Sequence, residues 1–206
     1  MPGRFVAIFL LLASAGRAQF FDMTAKGEKA DLNRISVHAQ VVRSPIRIGL
    51  EYERTLFIWG WLKPAIGASA NTGAQISEDT ARGFRNSEYT SYIDAPVRLA
   101  VMPIEYFQVY AGAGMTFYST TLRLKDLGSL PGLEGSATKA GAAPFVEAGF
   151  RLSYGSYSVG MSASYAQAAD IAVRYSYISG GNKVFDSFQH TPFMNARASV
   201  FAGFLF

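Results

Sequence analysis

Nine charged side chains stand at alternate positions inside otherwise apolar stretches of this 206-residue sequence. Buried charges of this kind need ion-pair or hydrogen-bond partners. The nine comprise four acids and five bases, so they can largely neutralise one another if the fold brings them into one enclosed space. They are Arg47, Glu51, Glu53, Lys63, Asp94, Arg98, Glu147, Arg151 and Arg197.

Catalytic and metal chemistry has few candidates in this chain. Glu51 and Glu147 could act as an acid–base pair, but the sequence positions no nucleophile or scissile bond beside them. The chain has no cysteine, which excludes thiol catalysis, disulfides and cysteine-based metal sites. Its two histidines, His38 and His190, are too few for a histidine-rich metal site. We therefore predict a non-enzymatic protein without cofactor or metal, whose charges form an internal network.

The elements that must hold these charges are β-strands, because apolar and polar residues alternate around them with a period of two. Within residues 106–118, for example, Val109 and Ala111 share one face, and the intervening Tyr110 takes the other. Eight segments show this alternation, each near the length of about 9–11 residues that a tilted membrane strand needs. The eight are residues 34–42, 46–55, 61–71, 91–102, 106–118, 143–154, 157–166 and 193–206.

Short and long connections alternate between these segments. The connections after the second, fourth and sixth segments are short, whereas those after the third, fifth and seventh are long and polar; the first, residues 43–45, is a short exception. Short periplasmic turns and long extracellular loops are typical of outer-membrane barrels. We therefore expect three long surface loops, at residues 72–90, 119–142 and 167–192.

Aromatic residues cluster where such a barrel would meet the membrane interfaces. Tyr89, Phe117 and Tyr165 lie toward the long loops. A larger group lies toward the short turns: Phe57, Trp59, Trp61, Tyr106, Phe107, Tyr154, Tyr157, Phe204 and Phe206.

The N-terminus has the features of a secretory signal peptide. Arg4 provides a positive start, and residues 5–13 form an apolar run too short to span a bilayer. Small residues then allow cleavage after Ala15 or Ala18. Removing this basic segment lowers the formal net charge of +4, and an exported chain is not expected to bind nucleic acid. The predicted organisation is a signal peptide at 1–18, a short periplasmic segment at 19–33 and an outer-membrane β-barrel at 34–206.

The last segment carries the clearest family resemblance. Val200, Phe204 and the terminal Phe206 resemble the C-terminal signal that the barrel-assembly machinery reads in outer-membrane proteins. Residues 92–99, YIDAPVRL, resemble an aromatic-x-acid-x-Pro strand of porin-like proteins. From residue 34 to residue 206 the chain is thus similar to OmpA/OmpX-type barrels and to porin-like "outer membrane protein β-barrel" families.

The pattern and the resemblance together predict an all-β protein, an eight-stranded antiparallel up-and-down transmembrane β-barrel. We expect it to cross the bacterial outer membrane several times with both termini in the periplasm. The expected partners are outer-membrane lipid, the barrel-assembly machinery during biogenesis, and a host or other extracellular ligand at the loops. The expected role is envelope integrity or surface interaction, and the alternative is a narrow pore for small solutes.

Two further alternatives belong to other classes. A soluble lipocalin-like barrel would turn the apolar face inward and the charged face outward. Residues 174–182 faintly resemble the His-x-Ser-Asn region of outer-membrane lipid A deacylases, with Ser179 at the serine. Tyr177 stands where that family has its histidine, and tyrosine cannot act as a base at neutral pH. His190 is near in sequence but does not match the motif.

Two local expectations follow from the alternation. Pro96 lies inside the fourth segment and predicts a bulge, because proline cannot donate a ladder hydrogen bond. Ala111 lies on the apolar face, where an arginine at mid-bilayer costs about 2–4 kcal/mol. Gly112 lies on the polar face, and we expect a serine there to be tolerated better.

Overall fold

A computed structural model describes residues 33–40, 45–58, 61–104 and 106–206, most of which lie in β-strands. The predicted signal peptide, Trp59 and all but the last residue of the predicted segment 19–33 lie outside the described residues. Among the described residues, no helix has the length and hydropathy needed to cross a membrane. The strands are Asn33–Gln40 (β1), Pro45–Thr55 (β2), Leu62–Asp79 (β3), Phe84–Ile104 (β4), Phe107–Asp126 (β5), Glu134–Tyr154 (β6), Tyr157–Ala166 (β7), Ile171–Ser179 (β8), Asn182–His190 (β9) and Ala196–Leu205 (β10).

Eight of these strands form a closed ring. From β1 to β7, each strand pairs antiparallel with the next along the chain, and β10 lies between β7 and β1. Strands β8 and β9 form a hairpin outside the ring, which pairs with the start of β6 at Glu134 and Gly135. The predicted all-β class, antiparallel pairing and eight ring strands are confirmed, and the described strands number ten because of this extra hairpin.

In the ring, polar side chains face mainly inward and apolar side chains face mainly outward. On β5, Tyr110 and Thr116 are buried, whereas Val109 and Phe117 are exposed. Antiparallel pairing in register keeps this facing from strand to strand, because aligned residues share a face of the sheet. The soluble lipocalin-like alternative requires the opposite facing.

The two ends of the ring differ. At one end, the short-turn end, brief connections join β2 to β3, β4 to β5 and β6 to β7. At the other, the extended end, the β3–β4 and β5–β6 hairpins continue beyond the band of outward-facing apolar side chains, which we call the apolar belt. Exposed aromatic side chains surround the short-turn end: Phe57, Trp61, Tyr106, Tyr154, Tyr157, Phe204 and Phe206.

The three segments predicted to be long loops consist mostly of β-strand. In residues 72–90, β3 continues to Asp79 and β4 begins at Phe84. The other two predicted loops likewise contain the ends of β5 and β6 and the whole β8–β9 hairpin. Apolar alternation stops where the strands leave the apolar belt, but the backbone ladder goes on. Polar cross-strand pairs such as Thr121 and Thr138, 3.1 Å apart between hydroxyl oxygens, support the ladder there.

Pro96 does not produce the predicted bulge. On one side of it, Val97 aligns with Ile66 of β3. On the other side, Asp94 aligns with Ser69 in the same register, so no extra residue is inserted between the two pairs. The missing N–H interrupts the ladder without shifting it.

A small apolar core holds the extended end together. Leu122, on the inner face of β5, packs against Ile171 and Val173 of β8. The ring of Phe84 stacks on that of Phe188 with centroids 5.3 Å apart. Burying an aliphatic or aromatic side chain of this size stabilises by about 1.5–3 kcal/mol. The β8–β9 hairpin is therefore packed against the extended strands.

Candidate functional site: the interior charge network

Arg98, on the inner face of β4, is the centre of the interior network. Its Nη1 donates to Glu51 Oε1 at 2.6 Å and to Glu53 Oε2 at 2.7 Å. Its Nη2 donates to Glu51 Oε2 at 2.6 Å and to Glu147 Oε2 at 3.0 Å. The Arg98 side chain is only 4% exposed. One guanidinium thus joins three carboxylates carried by β2 and β6.

Two more arginines complete this group, which we call the lower cluster. Arg34 Nη2 donates to Glu51 Oε1 at 2.8 Å and to Glu53 Oε2 at 3.1 Å. Arg151 donates to the two oxygens of Glu53 at 2.9 and 3.2 Å. Three bases balance three acids, which is the condition for holding charges away from water. The lower cluster consists of Arg34, Arg98, Arg151, Glu51, Glu53 and Glu147.

Two aromatic rings cover the arginines of the lower cluster. The Arg98 and Arg151 guanidinium carbons lie 5.2 and 5.3 Å from the centroid of the Tyr110 ring. The guanidinium carbon of Arg34 lies 5.2 Å from the centroid of Phe201. Such cation–π contacts stabilise a guanidinium from which water is excluded.

Gly112 leaves the room that the Arg98–Glu147 pair occupies. A Cβ atom at this position would lie 2.9 Å from Glu147 Oε1 and 3.0 Å from Arg98 Cγ. It would also lie 2.9 Å from the carbonyl oxygen of Val97, which cannot move aside as a side chain can. A serine at Gly112 would therefore overpack this point, because the inner face is polar but full here.

A second group, the upper cluster, lies nearer the extended end and consists of Arg47, Tyr92, Asp94, Thr116 and Arg197. Arg197 Nη1 donates to the two oxygens of Asp94 at 3.0 and 2.7 Å. The Thr116 hydroxyl donates to Asp94 Oδ1 at 2.5 Å. Arg47 Nη1 donates to the Tyr92 hydroxyl at 2.9 Å. Arg47 is therefore hydrogen-bonded to a phenol, whereas the Asp94 carboxylate is bound by Arg197.

The nine predicted interior charges fall into three places. Glu51, Glu53, Arg98, Glu147 and Arg151 belong to the lower cluster, and Arg47, Asp94 and Arg197 belong to the upper cluster. Lys63 lines a cavity of about 30 Å³ at the short-turn end, together with Arg34, Glu53, Arg98 and Arg151 of the lower cluster. That volume holds about one water molecule.

Sequence reasoning missed two charged members of the interior. Arg34 shares the polar parity of its segment, and that signal could have revealed it. Glu88 fell inside a predicted loop, yet its side chain is only 2% exposed. Its carboxylate lies 2.6 Å from His190 Nε2 and accepts a hydrogen bond from the Thr90 hydroxyl at 3.0 Å. Glu88 ties the β9–β10 connection to the inner wall of β4.

An apolar layer lies in the interior between the upper cluster and Glu88. Tyr92, Tyr118, Phe145 and Met194 are buried there in one contact cluster, and Met194 is 0% exposed. Met194 belongs to the 3₁₀ turn Phe193–Asn195, just before β10. The connection into β10 therefore fills the interior with its own side chains.

The residues of the predicted insertion signal lie on the outer face of β10. Val200, Phe204 and Phe206 are exposed, and the Phe204 ring packs against Tyr157 at 5.7 Å and Phe206 at 6.5 Å between centroids. Recognition of these residues by the assembly machinery stays a prediction.

The residues considered for lipid A deacylation do not come together. Ser179 ends β8, whereas His190 aligns with Ile171 at the other end of the same hairpin. Eight residues of strand separate these two positions, about 26 Å. His190 lies instead against Glu88, so the hairpin presents no serine–histidine pair.

The fold and site define a closed ring of eight antiparallel strands with a charged interior and an apolar exterior. No protein-family model and no curated protein sequence matches the chain. Among solved structures, it is similar to a major outer membrane protein from Thermus thermophilus, with 14% identity and a TM-score of 0.50 over 84% of this chain and 99% of that chain. It is also similar to Ail, the attachment invasion locus protein of Yersinia pestis, with 12% identity and a TM-score of 0.47 over 84% and 93%. At such low identity the likeness to the Thermus protein bears on the fold alone.

Proposed function

We propose that this chain is an eight-stranded up-and-down transmembrane β-barrel of a bacterial outer membrane. The main support is that the ring exposes apolar side chains and buries charged ones, the opposite of a soluble protein. Val97 is 62% exposed, whereas the adjacent Arg98 is 5% exposed. Apolar side chains facing outward are stable in lipid, and paired charges are stable in a closed interior. The similarity to the Thermus outer membrane protein supports this environment for the fold.

The spacing of the aromatic residues along β5 matches the thickness of the apolar part of a membrane. On β5, ten residues separate Phe107 at the short-turn end from the exposed Phe117. Ten residues of strand span about 33 Å, and a tilt of about 40° reduces this to about 25 Å along the ring axis. An apolar band of about 25 Å between aromatic girdles is typical of outer-membrane barrels. We further propose that the short turns and both termini are periplasmic and that the extended end is extracellular, since short periplasmic turns are typical of outer-membrane barrels.

The filled interior favours a structural or surface-contact role over solute passage. Side chains of the lower cluster, the upper cluster and the apolar layer all occupy the interior. Eight strands enclose a space that side chains can just fill. The extended hairpins offer the surface for contact with other molecules, whereas outer-membrane lipid and the assembly machinery are the partners of the barrel wall.

We expect no enzymatic activity from the two acids considered for catalysis. Glu51 and Glu147 are both bound by the same guanidinium of Arg98, so their oxygens already accept hydrogen bonds within the protein. A general acid or base must instead lie within hydrogen-bond reach of a substrate.

Reconstitution tests this function. Protein without the predicted signal, refolded into phosphatidylcholine vesicles, should migrate differently on gels before and after heating and should show no conductance steps in a planar bilayer. Protein that stays soluble and shows no mobility shift would contradict the barrel. Reproducible conductance would contradict the filled interior and favour the narrow-pore alternative.

A further inference from the structure

An open groove of about 720 Å³ lies on the extended end, lined by the start of β6 and by both strands of the β8–β9 hairpin that pairs with it. It is lined by one guanidinium, two carboxylates, the aromatic rings of Tyr175 and Phe185, and several hydroxyl groups. The side chains that matter are Arg174, Glu134, Asp186, Phe185, Ser136 and Ser187. A mixed polar and aromatic lining of this kind suits a hydroxylated ligand.

Both carboxylates of the groove are already engaged within the protein. Glu134 Oε2 lies 3.1 Å from Lys183 Nζ. Asp186 accepts a hydrogen bond of 2.7 Å from the Tyr175 hydroxyl. That hydrogen bond lowers the pKa of Asp186, so the carboxylate stays ionised and bound. The charge of Glu134 is balanced by Lys183, whereas Asp186 keeps its negative charge but aligns with the buried Tyr175, on the opposite face of β9 from Ser187.

Two arginines beside the groove, in contrast, are unengaged. Arg123 on β5 aligns with Ser136, and Arg174 on β8 aligns with Ser187. Both arginines are exposed, and within the described ranges neither forms an ion pair or a side-chain hydrogen bond. Strands two apart in a sheet are about 10 Å apart, so the arginines flank the β6 edge of the groove. Their positive charge is available to an anionic ligand.

The distance of the groove from the membrane surface indicates which kind of anion can bind there. This step rests on the proposed function. Arg123 lies six residues beyond Phe117, the aromatic residue at the outer edge of the apolar belt. Six residues span about 20 Å of strand, or about 15 Å along the axis at a tilt of about 40°. This is above the headgroup layer, where sugars rather than lipid phosphates lie.

We propose that the groove binds an acidic glycan, a saccharide that carries carboxylate or phosphate groups. Arg123 and Arg174 bind the acid groups through charge-assisted hydrogen bonds. Phe185, which is 76% exposed, packs against the apolar face of a sugar ring. Ser136 and Ser187 hydrogen-bond to sugar hydroxyls.

Calorimetric titration of the refolded protein tests this inference. The probe is a hexamer of galacturonate, and the comparison ligands are neutral maltohexaose and inorganic phosphate. We expect the acidic hexamer to bind and each of Arg123→Gln and Arg174→Gln to weaken it about tenfold, since one charge-assisted contact is worth about 1.5 kcal/mol or more. Phe185→Ala should also weaken binding, because it removes the ring. Arg82→Gln is the matched control, since Arg82 is paired with Asp79 at 3.2 Å.

Three results would overturn the proposal: equal binding of maltohexaose, full competition by inorganic phosphate, or unchanged affinity in both arginine variants. Each sample is first checked for vesicle insertion and the heat-dependent mobility shift. Inserted protein that binds no glycan contradicts this inference alone, whereas protein that fails to insert contradicts the proposed function.

A second arm separates the two sources of acidic sugar. The titration is repeated in phosphatidylcholine vesicles with and without lipopolysaccharide. Weaker hexamer binding in the presence of lipopolysaccharide identifies the membrane's own glycan as the occupant. Unchanged binding identifies a glycan from outside the cell.

Discussion

Replacing Arg98 with methionine should be among the most destabilising single changes in the barrel wall. Arg98 is the cation that Glu147 contacts, and it also binds Glu51 and Glu53. After the change, Arg34 and Arg151 still bind the two glutamates of β2. Glu147, whose contact was with Arg98, is left as a buried carboxylate without that cation. Breaking a buried ion pair by removing one partner costs about 3–5 kcal/mol. We expect a loss of stability in that range.

Urea unfolding of the vesicle-inserted protein, followed by the fluorescence of its two tryptophans, measures this cost. The matched control is Arg85→Met, the same substitution on the outer face of the same strand. Arg85 is paired with Glu78, but the two side chains are 40% and 47% exposed. An exposed pair contributes about 0–1 kcal/mol, so the control should change stability little.

A double variant separates the ion pair from simple loss of packing. Adding Glu147→Gln to Arg98→Met removes the stranded charge, and we expect part of the lost stability to return. A cost below about 1 kcal/mol for Arg98→Met would refute the reasoning, because it would place Arg98 among exposed pairs. Additive costs in the double variant would refute the coupling between Arg98 and Glu147.

Three further predictions follow from the same geometry. Gly112→Ser should cost about 1–3 kcal/mol by overpacking against Glu147, measured by the same unfolding assay; a neutral effect would mean that the inner wall is not full. Ala111→Arg should cost about 2–4 kcal/mol in vesicles and much less in a short-chain detergent micelle; equal costs would mean that this face does not meet lipid. Tyr175 should ionise late, with a pKa raised to about 12 by burial and by its hydrogen bond to Asp186. Tyr175→Phe should return the lowered pKa of Asp186 toward its ordinary value, as measured by carboxyl NMR titration. Because that pKa is lowered in the folded state, the contact supports the hairpin above the unfolded pKa of Asp186 and is lost as the pH falls through the folded value. An unchanged Asp186 titration in the variant would contradict the hydrogen bond.

The ring strands could be predicted from the sequence because lipid and a filled interior demand opposite side chains on the two faces. That demand produces the period of two seen at Val97 and Arg98, and it also placed Glu51, Glu147 and Arg151 inward. Antiparallel pairing of neighbouring segments then follows from the short connections.

The extended end could not be read in the same way. Outside the apolar belt both faces of a strand can be polar, so Glu78 and Thr121 carry no signal of facing. The packing of Phe84 against Phe188 joins residues more than a hundred positions apart, which no local pattern reveals. For the same reason Glu88 could not be recognised as an interior acid, because its partner His190 comes from another hairpin.

The exact partners within the interior were also beyond the sequence. Parity places Arg47 and Asp94 on the inside, but which base meets which acid depends on height along each strand and on the shear of the ring. The structure pairs Asp94 with Arg197 and gives Arg47 the Tyr92 hydroxyl.

The most direct test of the account is the facing of β5 in a membrane. Because the chain has no cysteine, single cysteines can be placed at successive positions of residues 108–117 and labelled with nitroxide. In vesicles, we predict that labels at odd positions, such as Val109 and Met115, are accessible to oxygen dissolved in the lipid. Labels at even positions should be immobilised and shielded from it. Labels at odd positions that are accessible to a water-soluble relaxation agent along the whole strand would contradict the transmembrane barrel.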